Sequence, residues 1–144
     1  MPHTKRVVEF EGVTCRGLLA QECYYRGELV EPANVLYLHV APERWLRFFI
    51  DAGSFGWRET ADAAEIPPDS DGDFRYPLVD LGTRYPVGGR RVLTAMLTER
   101  PPDGAEFTLA FDDGAVVALV NEADASRVEY RPAAYLSANP RRRA

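Results

Sequence analysis

Histidine and cysteine are scarce in this chain of 144 residues, and their scarcity argues against several kinds of site. His3 and His39 are the only histidines. The cysteines Cys15 and Cys23 are too far apart for a CxxC pair and have no matching pair, so no zinc site is predicted. The GxSxG, HExxH, P-loop and GxGxxG motifs are also missing. We therefore predict neither a metal nor a cofactor, and the lack of catalytic motifs favours a protein that is not an enzyme.

Long apolar runs are missing as well. No run approaches the roughly 20 residues of a transmembrane helix, and Glu9 and Glu11 interrupt the first residues, where a signal peptide would be apolar. The formal net charge of −5 disfavours non-specific nucleic-acid binding, because phosphate contacts need clustered positive charge. We expect a soluble cytoplasmic protein without nucleic-acid or membrane partners, in which the cysteines are reduced.

Lysine is nearly absent: Lys5 is the only one among 17 basic residues. Together with the abundance of Ala, Asp, Gly and Pro, this bias indicates a GC-rich bacterial genome. The arginines therefore do not by themselves indicate phosphate or carboxylate recognition. We interpret Arg141, Arg142 and Arg143 as a solvated tail.

The chain is rich in short segments in which apolar and polar residues alternate. Clusters of Gly, Pro and Asp separate these segments. The length favours one domain, residues 1–144, with a frayed tail over 136–144. The pattern predicts a mainly β, antiparallel barrel or sandwich of about eight to ten short strands. Residues 16–25 and 42–52 could each form a short helix instead, and for 16–25 we favour a strand.

Individual segments are predicted from the same alternation. Residues 26–34 are predicted to be a loop, and 60–73 an acidic loop. Pro77 predicts an edge strand or a bulge. The Asp-Gly turn at 113–114 predicts a hairpin. The predicted strands cover 6–10, 35–40, 91–99, 106–111, 115–120 and 126–131.

The stretch WLRFFIDAGSFGW, residues 45–57, fits either a strand or a helix. We favour a strand, because Trp, Phe and Ile prefer pleated surfaces and the neighbouring segments also resemble strands. DAGSFG is then a turn and FGWRE the returning strand. Strand alternation directs Leu46, Phe48 and Ile50 to the core. The opposite face carries Trp45, Arg47, Phe49 and Asp51.

A sheet face that mixes large aromatics with charges is typical of an interface. The commoner arrangement for such residues is a covered face, either beneath a connection such as residues 27–34 or in a sheet that curls and buries both sides. We predict a non-catalytic binding protein, of a partner, regulatory or bacterial immunity type, that binds a protein or a second copy of itself. The predicted binding residues are Trp45, Arg47, Phe49, Asp51 and Trp57.

Two other functions stay open. A barrel could carry a small apolar ligand among Tyr37, Phe48, Met96 and Leu109. A carboxylate enzyme could use a pair chosen from Asp51, Glu59, Asp80 and Glu106. Their spacing selects no pair.

Two weaker constellations are disfavoured. Asp69, Asp71 and Asp73, followed by Asp80, resemble a calcium loop, but Phe74 stands where that loop needs glycine. A solvated acidic loop is the preferred interpretation. Cys15 or Cys23 could pair with His39 as a nucleophile, but small cysteines usually pack as hydrophobic residues.

Overall fold

The computed structural model describes residues 3–63 and 72–133, which form eleven strands and one 3₁₀ turn. The strands are β1 (His3–Arg6), β2 (Gly17–Tyr25), β3 (Glu28–Ala41), β4 (Arg44–Asp51), β5 (Ser54–Thr60), β6 (Phe74–Arg75), β7 (Leu78–Asp80), β8 (Val92–Arg100), β9 (Gly104–Phe111), β10 (Val116–Glu122) and β11 (Ala125–Arg131). The mainly β prediction is therefore confirmed. The predicted tail over 136–144, with its three arginines, lies outside the described residues.

Two antiparallel sheets pack face to face as a sandwich. One has five strands in the order β1-β8-β9-β10-β11, and the other has the order β5-β4-β3-β2-β6, with β7 also paired to β2. The Asp-Gly hairpin is confirmed as β9 and β10. Among residues 3–63 and 72–133, no helix is long and apolar enough to cross a membrane.

Aromatic rings fill the middle of the sandwich. Phe48 of the six-stranded sheet lies 4.8 Å, between ring centroids, from Phe107 of the five-stranded sheet. Phe10 contacts both rings edge-on, at 4.9 and 5.8 Å. All three are buried, and each strand contributes alternate apolar side chains to this layer. The two sheets are thus joined by direct ring contacts.

The strand predicted at residues 6–10 is wrong in its second half. β1 ends at Arg6, and Val8–Phe10 form a 3₁₀ turn. A 3₁₀ turn repeats every three residues, so Val7 and Phe10 lie on the same side and are both buried. The stabilisation gained by burying the Phe10 ring therefore outweighs the preference of this segment for an extended strand.

The loop predicted at residues 26–34 is also wrong, because β3 begins at Glu28 and only Arg26 and Gly27 form the turn. Pro32 is accommodated by a bulge. Gln21 pairs with Val35, but two residues later Cys23 pairs with Glu31, so β3 carries extra residues around the proline.

The strands favoured over helices in two segments are confirmed, because residues 16–25 contain β2 and residues 42–52 contain a turn followed by β4. Glu43 in that turn has φ 58°, which reverses the chain where a helix would continue. The eleven strands of the described residues agree with the predicted architecture, and two of them arise because Pro77 separates β6 from β7, both of which pair with β2.

Candidate functional site

The outer face of the six-stranded sheet carries four of the five predicted binding residues. In β4 the side chains of Leu46, Phe48 and Ile50 are buried in the core. Strand alternation directs Trp45, Arg47, Phe49 and Asp51 to the opposite, outer face. We call this surface the outer aromatic face.

Trp57 does not belong to the outer aromatic face. Its register partner is Phe48, so it lies on the core side of β5. Its ring is 4.7 Å from the Phe10 ring, and 40% of the residue is exposed. Trp57 therefore covers the open edge of the core, and the structure separates it from the other four residues.

Neighbours from the same sheet partly cover Trp45. Its ring stacks on His39 with a centroid distance of 4.2 Å and an interplanar angle of 11°. Tyr37 meets it edge-on at 6.3 Å. Gly17 pairs with His39, and a Cβ atom on Gly17 would lie at ordinary contact distance from both side chains. Trp45 is consequently half-buried and held in one orientation.

Phe49 is held between a glycine and an arginine. A Cβ atom on Gly56, its partner in β5, would lie 2.5 Å from Cζ of Phe49, so the ring covers the bare glycine backbone. The guanidinium carbon of Arg47 lies 5.0 Å from the centroid of the same ring, which is a cation–π contact. The outer aromatic face is thus ordered by its own side chains.

A pocket of about 400 Å³ opens beside Phe49, and Arg47 contributes to its wall. Val35 and Phe49 provide apolar surface in it, and Asn34 provides an amide. Three carboxylates also line it, those of Glu31, Asp51 and Asp124. The volume falls in the range of small-ligand sites.

A chain of hydrogen bonds fixes one wall of the pocket. The Gly53 N–H donates to Oδ1 of Asn121 (3.2 Å), whose Nδ2 donates to Oγ of Ser126 (3.0 Å). The Ser126 N–H in turn donates to Oε1 of Glu31 (2.9 Å). Asn121 and Ser126 are both 1% exposed. The chain ties the β4–β5 turn to β10, β11 and β3.

Glu31 has an unusual electrostatic environment. Burial raises the pKa of its carboxyl group above the ordinary value, and the Asp124 and Asp51 carboxylates act in the same direction. The hydrogen bonds from Ser126 oppose this effect. The three carboxylates therefore share one end of the pocket closely enough to interact.

The four charged groups of this pocket lack ion-pair partners among the described residues. The outer face of the five-stranded sheet is different, because Glu106 there accepts hydrogen bonds from both Arg100 and Arg131. The charged side chains that pair with one another on that face are Arg100, Glu106, Glu122, Arg127, Glu129 and Arg131. Within the described part of the chain, Arg47 and Asp51 of the outer aromatic face thus lack ion pairs, in contrast to the charges that pair on the five-stranded sheet.

The carboxylates proposed for an enzyme do not meet in one cleft. Only Asp51 lines the pocket. Glu59 pairs with Arg44, Asp80 accepts a hydrogen bond from the Gly82 N–H, and Glu106 belongs to the other sheet. Sequence reasoning instead missed Glu31 and Asp124, because the first lies in the segment predicted as a loop and the second in a hairpin turn. Only the full topology, with the β10–β11 turn next to Glu31 of β3, would have revealed their proximity.

The apolar ligand site proposed from the sequence is not formed by its four residues. Phe48 and Leu109 face the core, but Tyr37 pairs with Arg47 on the outer aromatic face. Met96 pairs with Thr108 and Arg6, away from the buried Leu97. These side chains therefore do not line a common cavity.

The Cys15 thiol donates to the carbonyl oxygen of Gly17 (3.7 Å) rather than pairing with His39. Cys15 is buried in the core, and burial raises the pKa of its thiol to about 11, so the thiolate is scarce at neutral pH. His39 stacks on the opposite face of the sheet. Asp69 and Asp71 lie outside the described residues, and Asp73 accepts a hydrogen bond from Arg26 (3.0 Å). In the described part of the chain no three His, Cys, Asp or Glu residues form a group that could hold a metal ion.

Comparison with known proteins gives no match to a family model, a curated protein or a solved structure.

Proposed function

We propose that the chain is a non-catalytic binding protein that takes a protein partner on the outer aromatic face. One observation carries the proposal. This face presents half-exposed Trp45 and Phe49 beside Arg47, which has no carboxylate partner among the described residues, whereas the opposite sheet covers itself with ion pairs.

The chemistry of the face suits protein binding. Trp and Arg are among the residues whose truncation most often weakens a protein interface, and Trp45 and Arg47 share this face, with the buried Tyr37 packed edge-on against Trp45. Rings already held by stacking lose little conformational freedom when a partner binds. The face therefore has the residue types of a binding surface, and its side chains are already ordered before a partner binds.

The partner is expected to present carboxylates to this face. Arg47 and Arg58 are register partners in β4 and β5, so two positive charges lie side by side. Like charges directly opposite each other on a sheet are destabilising unless an anion compensates them. A two-fold dimer through the same face would bring two such arginine pairs toward each other. An acidic segment of another protein is therefore expected at Arg47 and Arg58, whereas a second copy would have to bring its Asp51 end, and not its own arginine pair, to this position.

We also propose that the protein acts in a bacterial cytoplasm, as a partner or immunity-type protein. The arginine bias of the composition and the scarcity of cysteine support this assignment. A toxin gene adjacent to the gene for this chain would support the immunity type.

The test is partner capture from the native host, followed by titration of the purified partner. We expect Arg47→Glu to weaken binding by about a hundredfold, because it removes a favourable charge and adds a repulsive one. Trp45→Ala is expected to weaken binding by at least about tenfold. Leu93→Ala, which changes an exposed apolar residue of β8 in the other sheet, serves as the matched control and should bind like the wild type.

Circular dichroism and thermal melts of each variant separate lost binding from lost folding. A captured partner whose affinity is unchanged by both Arg47→Glu and Trp45→Ala would contradict the proposal. Light scattering of the purified protein provides a second measurement. A stable dimer that Arg47→Glu disrupts would instead identify a second copy as the occupant of the face.

A further inference from the structure

The pocket beside Phe49 separates opposite charges along one strand. Arg47 and Asp51 are four residues apart on the same face of β4, so their Cα atoms are about 13 Å apart. Phe49 lies midway, and the Arg47 side chain extends over its ring. The pocket therefore has a cationic end at Arg47 and an anionic end at Asp51.

Two more carboxylates strengthen the anionic end. Glu31 and Asp124 line the same pocket as Asp51, and the three groups interact electrostatically. Glu31 is fixed in place by the hydrogen bond from the Ser126 N–H. This end is thus built by three separate segments of the chain: β3, the end of β4 and the β10–β11 turn.

The opposite charges do not neutralise each other, although they line one pocket. The cation–π contact directs the Arg47 guanidinium onto the Phe49 ring, and neither Asp51 nor Asp124 forms an ion pair within the described residues. Between the two ends, Val35 and Phe49 offer apolar surface and Asn34 offers a hydrogen-bonding amide. A ligand that bridged the ends would satisfy both charges at once.

We infer that this pocket binds a small zwitterion, with its carboxylate at Arg47 and its ammonium group among Glu31, Asp51 and Asp124. A carboxylate can accept two parallel hydrogen bonds from a guanidinium group. An ammonium group donates three hydrogen bonds, so it can satisfy more than one of the carboxylates that line this end of the pocket. The apolar middle of the pocket favours a ligand whose charges are separated by methylene groups. The inference does not rest on the proposed protein partner, although it uses part of the same face.

The test is a titration of the ¹⁵N-labelled protein with ω-amino acids of increasing length, from glycine to 6-aminohexanoate. We expect saturable shifts of the Asn34, Phe49 and Asp124 amides, with one chain length binding best because the cation–π contact holds the Arg47 guanidinium and the Ser126 N–H holds the Glu31 carboxylate. Singly charged analogues of that length, the alkanoate and the alkylamine, should bind at least about tenfold more weakly, since each forfeits one charged contact.

Variants at Arg47 and Asp51 test which end of the pocket binds each charge of the ligand. Arg47→Met and Asp51→Asn should each weaken binding of the best zwitterion by about tenfold or more. Arg47→Met should leave the affinity for the alkylamine unchanged, and Asp51→Asn that for the alkanoate. Arg75→Met, which removes an exposed arginine of β6 outside the pocket, is the matched control and should bind like the wild type. The dispersion of the amide spectrum verifies folding in every sample.

Three results would each overturn the inference. The first is the absence of saturable shifts with any ω-amino acid up to about 20 mM. The second is equal affinity for the zwitterion and a singly charged analogue. The third is binding that Arg47→Met leaves intact. Because partner capture is a separate measurement, failure here leaves the proposed protein binding to be decided on its own data.

Discussion

Phe48 and Phe49 are adjacent in sequence and lie on opposite faces of β4, so their truncation is the sharpest test of this architecture. Phe48 is 0% exposed and contacts Phe10 and Phe107 at centroid distances below 5 Å. Phe48→Ala removes these contacts and leaves a cavity between the sheets. We expect it to lower the free energy of unfolding by about 3–5 kcal/mol.

Phe49→Ala should cost much less. The ring is half-exposed, rests on Gly56 and carries the Arg47 guanidinium above it. Its loss forfeits a cation–π contact of about 0.5–1 kcal/mol and a part of its apolar burial. The expected total is about 1–2 kcal/mol.

Urea denaturation followed by circular dichroism measures both values, with equal m-values required for the comparison. The two variants should differ by about 2 kcal/mol or more. Equal destabilisation would mean that Phe49 is a core residue. The outer aromatic face would then not be a surface available to a partner, and the proposed function would lose its basis.

Three further expectations concern other parts of the molecule. Gly56→Ala should displace the Phe49 ring, because the new Cβ atom would lie 2.5 Å from Cζ, while the free energy of unfolding changes by less than about 1 kcal/mol. Nuclear Overhauser contacts between the ring and residue 56 measure this displacement. Glu31→Gln should gain stability relative to the wild type as the pH rises above the ordinary Glu value of 4.5, because the raised pKa makes ionisation of the folded wild type unfavourable. Glu106→Gln should destabilise the protein by about 1 kcal/mol, because it weakens two ion pairs, and by less at about 1 M salt.

Each expectation has a contrary result. A Phe49 ring that stays on residue 56 after Gly56→Ala would contradict the close contact. A stability difference between Glu31→Gln and the wild type that does not change between about pH 4 and pH 7 would contradict the environment described for Glu31. For Glu106→Gln the control is Glu43→Gln, which changes an exposed acid outside these ion pairs, and equal effects of the two would contradict the network.

Local alternation was sufficient to predict β4, β8, β9 and β11. The strand β10 is buried along both faces and was predicted instead from its apolar run after the Asp-Gly turn. Alternation was not sufficient where a residue is buried outside the alternating pattern of a strand. Phe10 enters the core through a 3₁₀ turn, and this depends on the space left between Phe48 and Phe107 rather than on its sequence neighbours. Such a position cannot be read from a window of ten residues.

The candidate site was predictable in part for the same reason. Trp45, Arg47, Phe49 and Asp51 share a face of one strand, so the alternation within β4 placed them together. Trp57 required the pairing of β5 with β4, because a shift of the register by one residue moves its ring to the other face. Glu31 and Asp124 required the full topology, since 93 residues of chain separate them.

The hydrogen-bond chain from Gly53 through Asn121 and Ser126 to Glu31 has a consequence for amide exchange. Turn amides normally exchange rapidly, because their opening is local and costs little free energy. The Gly53 amide instead donates to a buried side chain from the opposite sheet, and the Ser126 amide donates to a residue of β3. Exposing either amide to solvent requires the two sheets to separate at this end. Both amides are therefore expected to exchange slowly and together, so that a hairpin turn reports on the opening of the sandwich itself.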